Sequence, residues 1–221
     1  MERALVIGAS GGMGRAVTVA LRARGVSVKA LSRSQDGLDL TDETSVARVL
    51  GALGGPFDLI FVASGALEIA GAAPEKTIRA IQARAMMDQF ALNAMGPALV
   101  LRDAARLLPR ARRCVFAALS ARVGSIGDNR LGGWVSYRAA KAALNQIIRT
   151  ASIELSRSHR DSICVALHPG TVRTGLTEKY AGGHPVVTAQ EASENLLSVI
   201  EGLLPDQTGW FFDWAGKPVD W

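Results

Sequence analysis

Tyr137 and Lys141 stand one helical turn apart in Ser136-Tyr137-Arg138-Ala139-Ala140-Lys141, and that spacing puts a phenol and an ammonium on one helix face. A free tyrosine titrates near pH ~10, too high for ready proton exchange at neutral pH. A cation a few ångströms away favours the phenolate, so the pair reads as a general acid whose neighbour lowers its pKa. Tyrosine and lysine also fall four apart by chance on solvated helix faces. The elements that would position them decide between the two readings.

The first of these elements is a strand pattern, Ala4-Leu5-Val6-Ile7, that runs into Gly8-Ala9-Ser10-Gly11-Gly12-Met13-Gly14 and then a helical stretch over residues 15 to 23. A strand, a glycine turn and a helix start form a phosphate cradle, because free amides and the helix dipole hold negative charge. The fingerprint G-x-G-x-x-G would need glycine at positions 10 and 13, which hold Ser10 and Met13; the spacing here is G-x-x-x-G-x-G, through Gly8, Gly12 and Gly14. A second strand over residues 26 to 31 ends in Ser32-Arg33-Ser34. An acid at this point suits the ribose of NAD, whereas an arginine suits the 2′-phosphate of NADP. Arg33 therefore favours NADP(H) over NAD(H), with Arg15 placed to assist; Arg33 as an ordinary exposed loop residue stands as the other reading.

The pattern continues in the same alternation. Thr41-Asp42 reads as the cap of a helix with apolar positions Val46, Val49, Leu50 and Leu53. A strand over 57 to 63 ends in Ala63-Ser64-Gly65, at the edge where ligands bind in doubly wound folds. Residues 66 to 80 read as a loop. A long helical pattern over 82 to 108 carries Asn93 just before Gly96-Pro97, which implies a kink and a backbone carbonyl free to hold a water. Strands over 114 to 119 and 163 to 167 flank a helix over 136 to 158, and the second ends in His168-Pro169-Gly170. Thr188-Ala189-Gln190-Glu191 reads as a capping box, and residues 210 to 214 as a last strand.

At 221 residues, 48% of them hydrophobic, the chain has room for one sizeable core, so a single domain over 1 to 221 is expected. The architecture expected is α/β: a Rossmann-type, doubly wound parallel sheet of about seven strands with helices on both faces. No apolar run approaches a membrane span and Met1-Glu2-Arg3 leads into a strand, so a soluble, cytoplasmic protein is expected. Cys114 and Cys164 lie in apolar strands and read as buried thiols, with neither disulfide nor metal. A net charge of +5 and a pI of 9.7 raise nucleic-acid binding. The arginines are scattered singly, however, and the one tight group, Arg110, Arg112 and Arg113, follows a helix end whose dipole it suits. No nucleic-acid partner is expected.

Taken together, these residues resemble the short-chain dehydrogenase/reductase family over essentially the whole chain. The matching positions are the glycine turn, Asp39, Ala63-Ser64-Gly65, Asn93, Tyr137 with Lys141, and Pro169-Gly170 followed by Thr174. The loop from Val123 through Gly127 to Asn129 and the short aromatic C-terminus are similar to the C-factor-like and sniffer-like carbonyl reductases.

The resemblance implies hydride transfer between a nicotinamide and a small carbonyl or alcohol. Tyr137 would be the proton donor, Lys141 would hold the nicotinamide ribose and depress the tyrosine pKa, and Asn93 would hold a relay water. It also implies cofactor contacts from Gly8, Ser10, Gly12, Met13, Gly14, Arg33, Asp39, Leu40, Ala63, Ser64 and Gly65 near the chain start. Pro169, Gly170, Val172 and Thr174 would contact the nicotinamide, and a homodimer or homotetramer would pair the 82 to 108 and 136 to 158 helices.

The pattern departs at the serine that should hold the substrate oxygen: Ala121 stands at its place, with Ser120 just before. Ser120 is the expected substitute; Ser125, or no serine at all, are the other readings, because a shift of one residue reverses a strand side chain. Trp134, Leu131 and Tyr180 suggest an apolar substrate. A rival from another class is an NADP(H)-binding sensor or signalling protein on the same fold.

Overall fold

The computed structural model describes residues 1 to 173 and 186 to 221. Six strands form one parallel sheet: β1 (Arg3–Ile7), β2 (Ser27–Leu31), β3 (Leu59–Val62), β4 (Cys114–Leu119), β5 (Ser162–His168) and β6 (Phe211–Asp213). Their spatial order is β2-β1-β3-β4-β5-β6, so the chain winds outward from β1 in both directions. The expected seven strands are thus six among the described residues. The central strands are buried on both faces, as a parallel sheet covered by helices requires.

Alternation divides the core in two. Leu5, Ile7, Ile60, Val62, Phe116 and Ala118 pack with Val46 and Leu50 of α3 (Glu43–Gly51), Val100 and Ala104 of α5 (Gly96–Leu107), and Leu144 and Ile148 of α6 (Val135–Ser156). The alternate residues, among them Val6, Phe61, Ala117 and Val165, pack with Val17 and Leu21 of α1 (Gly12–Ala23) and Leu196 and Ile200 of α7 (Ala189–Gly202). The expected cap at Asp42 forms, its carboxylate accepting from the Thr44 amide, and the Thr188 hydroxyl accepts from the Glu191 amide at 3.1 Å, one of the two bonds of the expected capping box. Cys114 and Cys164 are buried free thiols.

Three expectations need correction. The strand end at Ser32-Arg33-Ser34 is the start of a one-turn helix, α2 (Arg33–Asp36), where the Ser32 hydroxyl caps the Gln35 amide and the Ser32 amide donates to Asp36. The break before Pro97 is a π-helical turn over Ala91–Met95 joining α4 (Ala83–Phe90) to α5. Proline lacks the amide hydrogen that would bond the Asn93 carbonyl in a regular α-helix, and the helix widens just before it, where the Gly96 amide donates to the Ala91 carbonyl five residues back. The arginine group does not serve the helix that precedes it. Arg112 pairs with Asp58, and Arg113 donates to the carbonyls of Ile200 and Leu203 at the C-terminal end of α7. Arg106 does the same for α3, through Leu50 and Leu53.

The turn between β1 and α1 tolerates no side chain at its closing glycine. A Cβ on Gly14 would lie 2.2 Å from the Gly8 carbonyl oxygen, and Gly8 itself has φ of +85°. Gly14→Ala is expected to lower stability by about 1–3 kcal/mol through forced backbone movement, read as a lowered denaturation midpoint in urea.

Candidate active site

A cavity of about 1020 Å³ opens where the first turn of α1, the ends of β3, β4 and β5, and the start of α6 meet. Tyr137 and Lys141 both line it, on the first two turns of α6. Tyr137 is 9% exposed and Lys141 3%. The Lys141 ammonium donates to the Leu119 carbonyl at 2.9 Å and lies 5.8 Å from the centre of the Tyr137 ring. Two glycines make that burial possible. A Cβ on Gly65 would come within 3.3 Å of the Lys141 Nζ, and one on Gly124 within 2.7 Å of its Cβ.

Burial acts on the two groups in opposite senses. It pushes the Lys141 ammonium down to about 7 and the Tyr137 phenol above its ordinary value. Without cofactor, burial alone raises the phenol, opposite in direction to the lowering expected beside Lys141, and the phenol is protonated at neutral pH. A protonated phenol is the form that gives a proton away.

Ser120 lines the same cavity, but it continues the row of Phe116 and Ala118 that faces α6. Its hydroxyl donates to the Asn145 Oδ1 at 2.6 Å. A hydroxyl has one hydrogen, so Ser120 can donate to a substrate oxygen only by leaving Asn145. Ser125 accepts from the Asp128 amide at 3.0 Å and is not part of the cavity wall, whereas Ala121 is.

Asn93 lies fully buried behind the wall. Its side chain holds both polar groups of Ala66, accepting from the amide at 3.2 Å and donating to the carbonyl at 2.9 Å, and it also donates to Gln89. The Gln89 amide in turn donates to the Leu67 carbonyl at 2.8 Å. Asn93 and Gln89 thus fix the chain just past Gly65, a role for the Asn93 side chain that its position in a helix did not signal.

At the other end of the cavity Gly11, Gly12 and Met13 present the α1 N-terminus, where Gly11 caps with no side chain. Gly8 and Gly14 close the turn behind them, and the exposed Ser10 carbonyl accepts from Arg15 at 3.4 Å. Uncapped first-turn amides, reached without a Cβ in the way, fit a pyrophosphate. Ala63, Ser64 and Gly65, and Pro169, Gly170 and Val172, form further parts of the wall. Arg33, Asp39 and Leu40 lie outside it. Arg33 is exposed, Leu40 is buried against Gly96, and the Asp39 carboxylate accepts from the hydroxyl and amide of Thr41, which with Arg33 nearby hold it below its ordinary pKa. Leu131 and Trp134 line the cavity; Thr174 and Tyr180 lie outside the described residues.

Sequence reasoning missed several residues here. Asn145 repeats the four-residue spacing of Tyr137 and Lys141, a signal that was available. His168 lines the cavity at the end of β5, and burial, helped by the Arg122 charge, holds its imidazole neutral with a pKa of about 4. Trp134 precedes α6 in the left-handed region, at φ 52°, after Gly132 and Gly133 in the same region. Such a conformation costs a bulky residue about 1–3 kcal/mol and persists only when its surroundings hold it. Arg138 is part of the hold, donating to the carbonyls of Gly132, Gly133 and Val123.

The Lys141 shift sets a pH dependence of stability. The ammonium titrates at 10.5 when free and at about 7 when buried. Between those values the unfolded chain binds the extra proton, so stability without bound cofactor rises with pH from about 7 to about 10.5. Lys141→Met is expected to flatten that rise and to increase Tm at pH 7, by roughly 2–4 °C per kcal/mol recovered. Thermal denaturation at pH 7, 8 and 9 reads it; a rise of wild-type slope in the variant would count against it.

The comparisons agree with this geometry. A family model described as "Enoyl-(Acyl carrier protein) reductase" matches residues 8–201. The chain is 30% identical, over the whole of both sequences, to the 1-hydroxy-2-glutathionyl-2-methyl-3-butene dehydrogenase of Rhodococcus sp. (strain AD45). It is 36% identical to the C-signal of Myxococcus xanthus over 62% of this chain and 78% of that one. The structure of the NADPH-bound carbonyl reductase from chicken fatty liver superposes with a TM-score of 0.83 at 25% identity, covering all of this chain and 94% of the other. With the parallel sheet, the glycine cradle and the Tyr137 and Lys141 pair in one cavity, these matches establish that the chain belongs to the short-chain dehydrogenase/reductase family.

Proposed function

We propose that the protein is an NADP(H)-dependent oxidoreductase that moves a hydride between nicotinamide and a small carbonyl or alcohol, with Tyr137 as general acid and base. The observation that carries this reading is the burial of Tyr137 and Lys141 in the wall of the cavity whose far end is the glycine cradle. Two named proteins support it from either direction: the Rhodococcus relative is a dehydrogenase, and the chicken neighbour is a reductase with NADPH bound.

Gly8, Ser10, Gly12, Met13 and Gly14 would hold the pyrophosphate and Arg33 the 2′-phosphate, with Asp39, Leu40, Ala63, Ser64 and Gly65 as further cofactor contacts. Lys141 would hold the nicotinamide ribose, and Pro169, Gly170, Val172 and Thr174 the carboxamide. NADPH, when bound, supplies the hydride. Tyr137 gives its proton to the substrate oxygen as negative charge develops there, and a phenol kept protonated by burial is ready to do so. Lys141, within 5.8 Å of the ring, then steadies the phenolate left behind. Asn93 fixes the Gly65 and Ala66 backbone over the lysine, and its place in the π-turn suits a relay water.

Ser120 takes the supporting part. Held by Asn145, it joins β4 to α6 below Lys141, and Tyr137 is the principal donor to the substrate oxygen. The chain works as a single domain in the cytoplasm; among the described residues no helix is long and apolar enough to cross a membrane. Exposed Met87 and Met95, from α4 and the π-turn, and Ile153 of α6 suit pairing of these helices in a homodimer or homotetramer. The site does not favour the sensor reading, since a protein that only binds a dinucleotide has no need of a buried lysine beside a phenol.

Tyr137→Phe is expected to keep NADPH binding, read by the cofactor's fluorescence, and to lose about 10²–10⁴-fold in kcat with a panel of carbonyls. Retained turnover would sink the proposal. Ser120→Ala is expected to lower kcat/KM less than about tenfold while lowering Tm by a few degrees, about the effect of one buried hydrogen bond; a loss of about 10²-fold or more would make Ser120 the holder of the substrate oxygen.

A further inference from the structure

Helix α6 carries the reacting side chain on its third residue, yet its own sequence does little to fix that first turn. The residue before it, Trp134, provides no side-chain cap, and the first turn holds no acid. An uncapped N-terminus leaves amides without partners and a positive dipole end without an anion. Both needs are met from a distant loop.

Glu75, between β3 and α4, is buried to 8% exposure. Its carboxylate accepts from the Ser136 amide at 3.2 Å and, closer still, from the Ser136 hydroxyl. Its backbone carbonyl accepts from the Trp134 amide at 2.5 Å. Among the described residues no cation pairs with it within ion-pair distance, so its negative charge rests against the helix terminus and the serine. Glu75 and Arg138 thus hold the left-handed stretch before α6 from two sides. Glu75, Ser136, Gln89 and Tyr137 are also among the residues that line a small void of about 10 Å³.

We propose that Glu75 is a positioning residue for Tyr137: a remote cap that sets the first turn of α6 and so aims the phenol into the cavity. The proposal rests on the reading of Tyr137 as the proton donor. Glu75→Ala would leave the Ser136 amide and hydroxyl without their acceptor, whereas Glu75→Gln keeps the shape and one acceptor oxygen. Displacement of a reacting group by an ångström lowers turnover by up to about 10²-fold.

The test measures kcat, KM and NADPH binding for wild type, Glu75→Ala and Glu75→Gln with one reducible carbonyl, beside amide hydrogen exchange over residues 132 to 141 and 144 to 156. For Glu75→Ala the expected result is a fall in kcat of about 10- to 100-fold, with the KM and the NADPH dissociation constant within about threefold and faster exchange confined to the first segment. Glu75→Gln is expected to recover most of kcat. Wild-type kcat in both variants would overturn the assignment, as would a loss accompanied by equal loosening of both segments, which marks a merely structural role. Should Glu75→Ala not fold, Ser136→Ala carries the comparison in its place, with a fall in kcat at unchanged KM expected in it while Glu75→Gln still keeps most of kcat; wild-type kcat in Ser136→Ala would overturn the assignment. Turnover in the wild type and in every variant tells against Glu75 alone; a wild type that binds NADPH and reduces no carbonyl tells against the reading of Tyr137 itself.

Discussion

An ammonium group taken out of water needs a reason to stay there, and Lys141, 3% exposed, sets the terms for everything around it. Its hydrogen-bond acceptor is the carbonyl of Leu119, the last residue of β4. To bring a helix that close to a strand end, the neighbouring backbone has to be stripped of side chains, which is what Gly65 and Gly124 provide. The strand ends must also converge, which the parallel winding of β1, β3, β4 and β5 ensures. A lysine held this way has given up water for a carbonyl acceptor, and burial lowers its pKa to about 7. Some folding stability is thereby given up at the site proposed for the cofactor.

The parts that local chemistry dictates were legible in the sequence. Continuous apolar runs of strand length placed the strands, and Asp42 and Thr188 announced the starts of α3 and α7 because a cap acts on amides two or three residues away. The glycine turn was readable for the same reason. The sheet was expected to have about seven strands and has six among the described residues, and the six strand segments named from the sequence all pair in it. At Gly96-Pro97 the missing amide was visible, but whether the helix would bend, stop or widen depends on how α4 and α5 pack on α6, and it widens.

What stayed hidden are the partners separated by long stretches of chain. Asn145 takes the Ser120 hydroxyl from 25 residues away, and Glu75 reaches Ser136 across 61. Neither pairing has a local signature. The orientation of Ser120 is a subtler case: alternation along β4 does carry the information, but it becomes usable only once the packed faces are known. Asn93 was singled out for its carbonyl, and its side chain proves to be a clasp on Ala66.

The arginines carry one more consequence. Arg106 and Arg113 close the ends of other helices, Arg138 gathers three loop carbonyls, and Arg3 reaches the carbonyls of Gly54 and Pro56. These acceptors are neutral carbonyls, so Arg3, Arg113 and Arg138 do structural service without having their charge cancelled, while Arg106 also lies 3.5 Å from the Asp103 carboxylate. A chain that fastens its joints in this way accumulates positive charge as a by-product of construction. Its pI of 9.7 then reports how the molecule is held together and need not describe a surface made for polyanions.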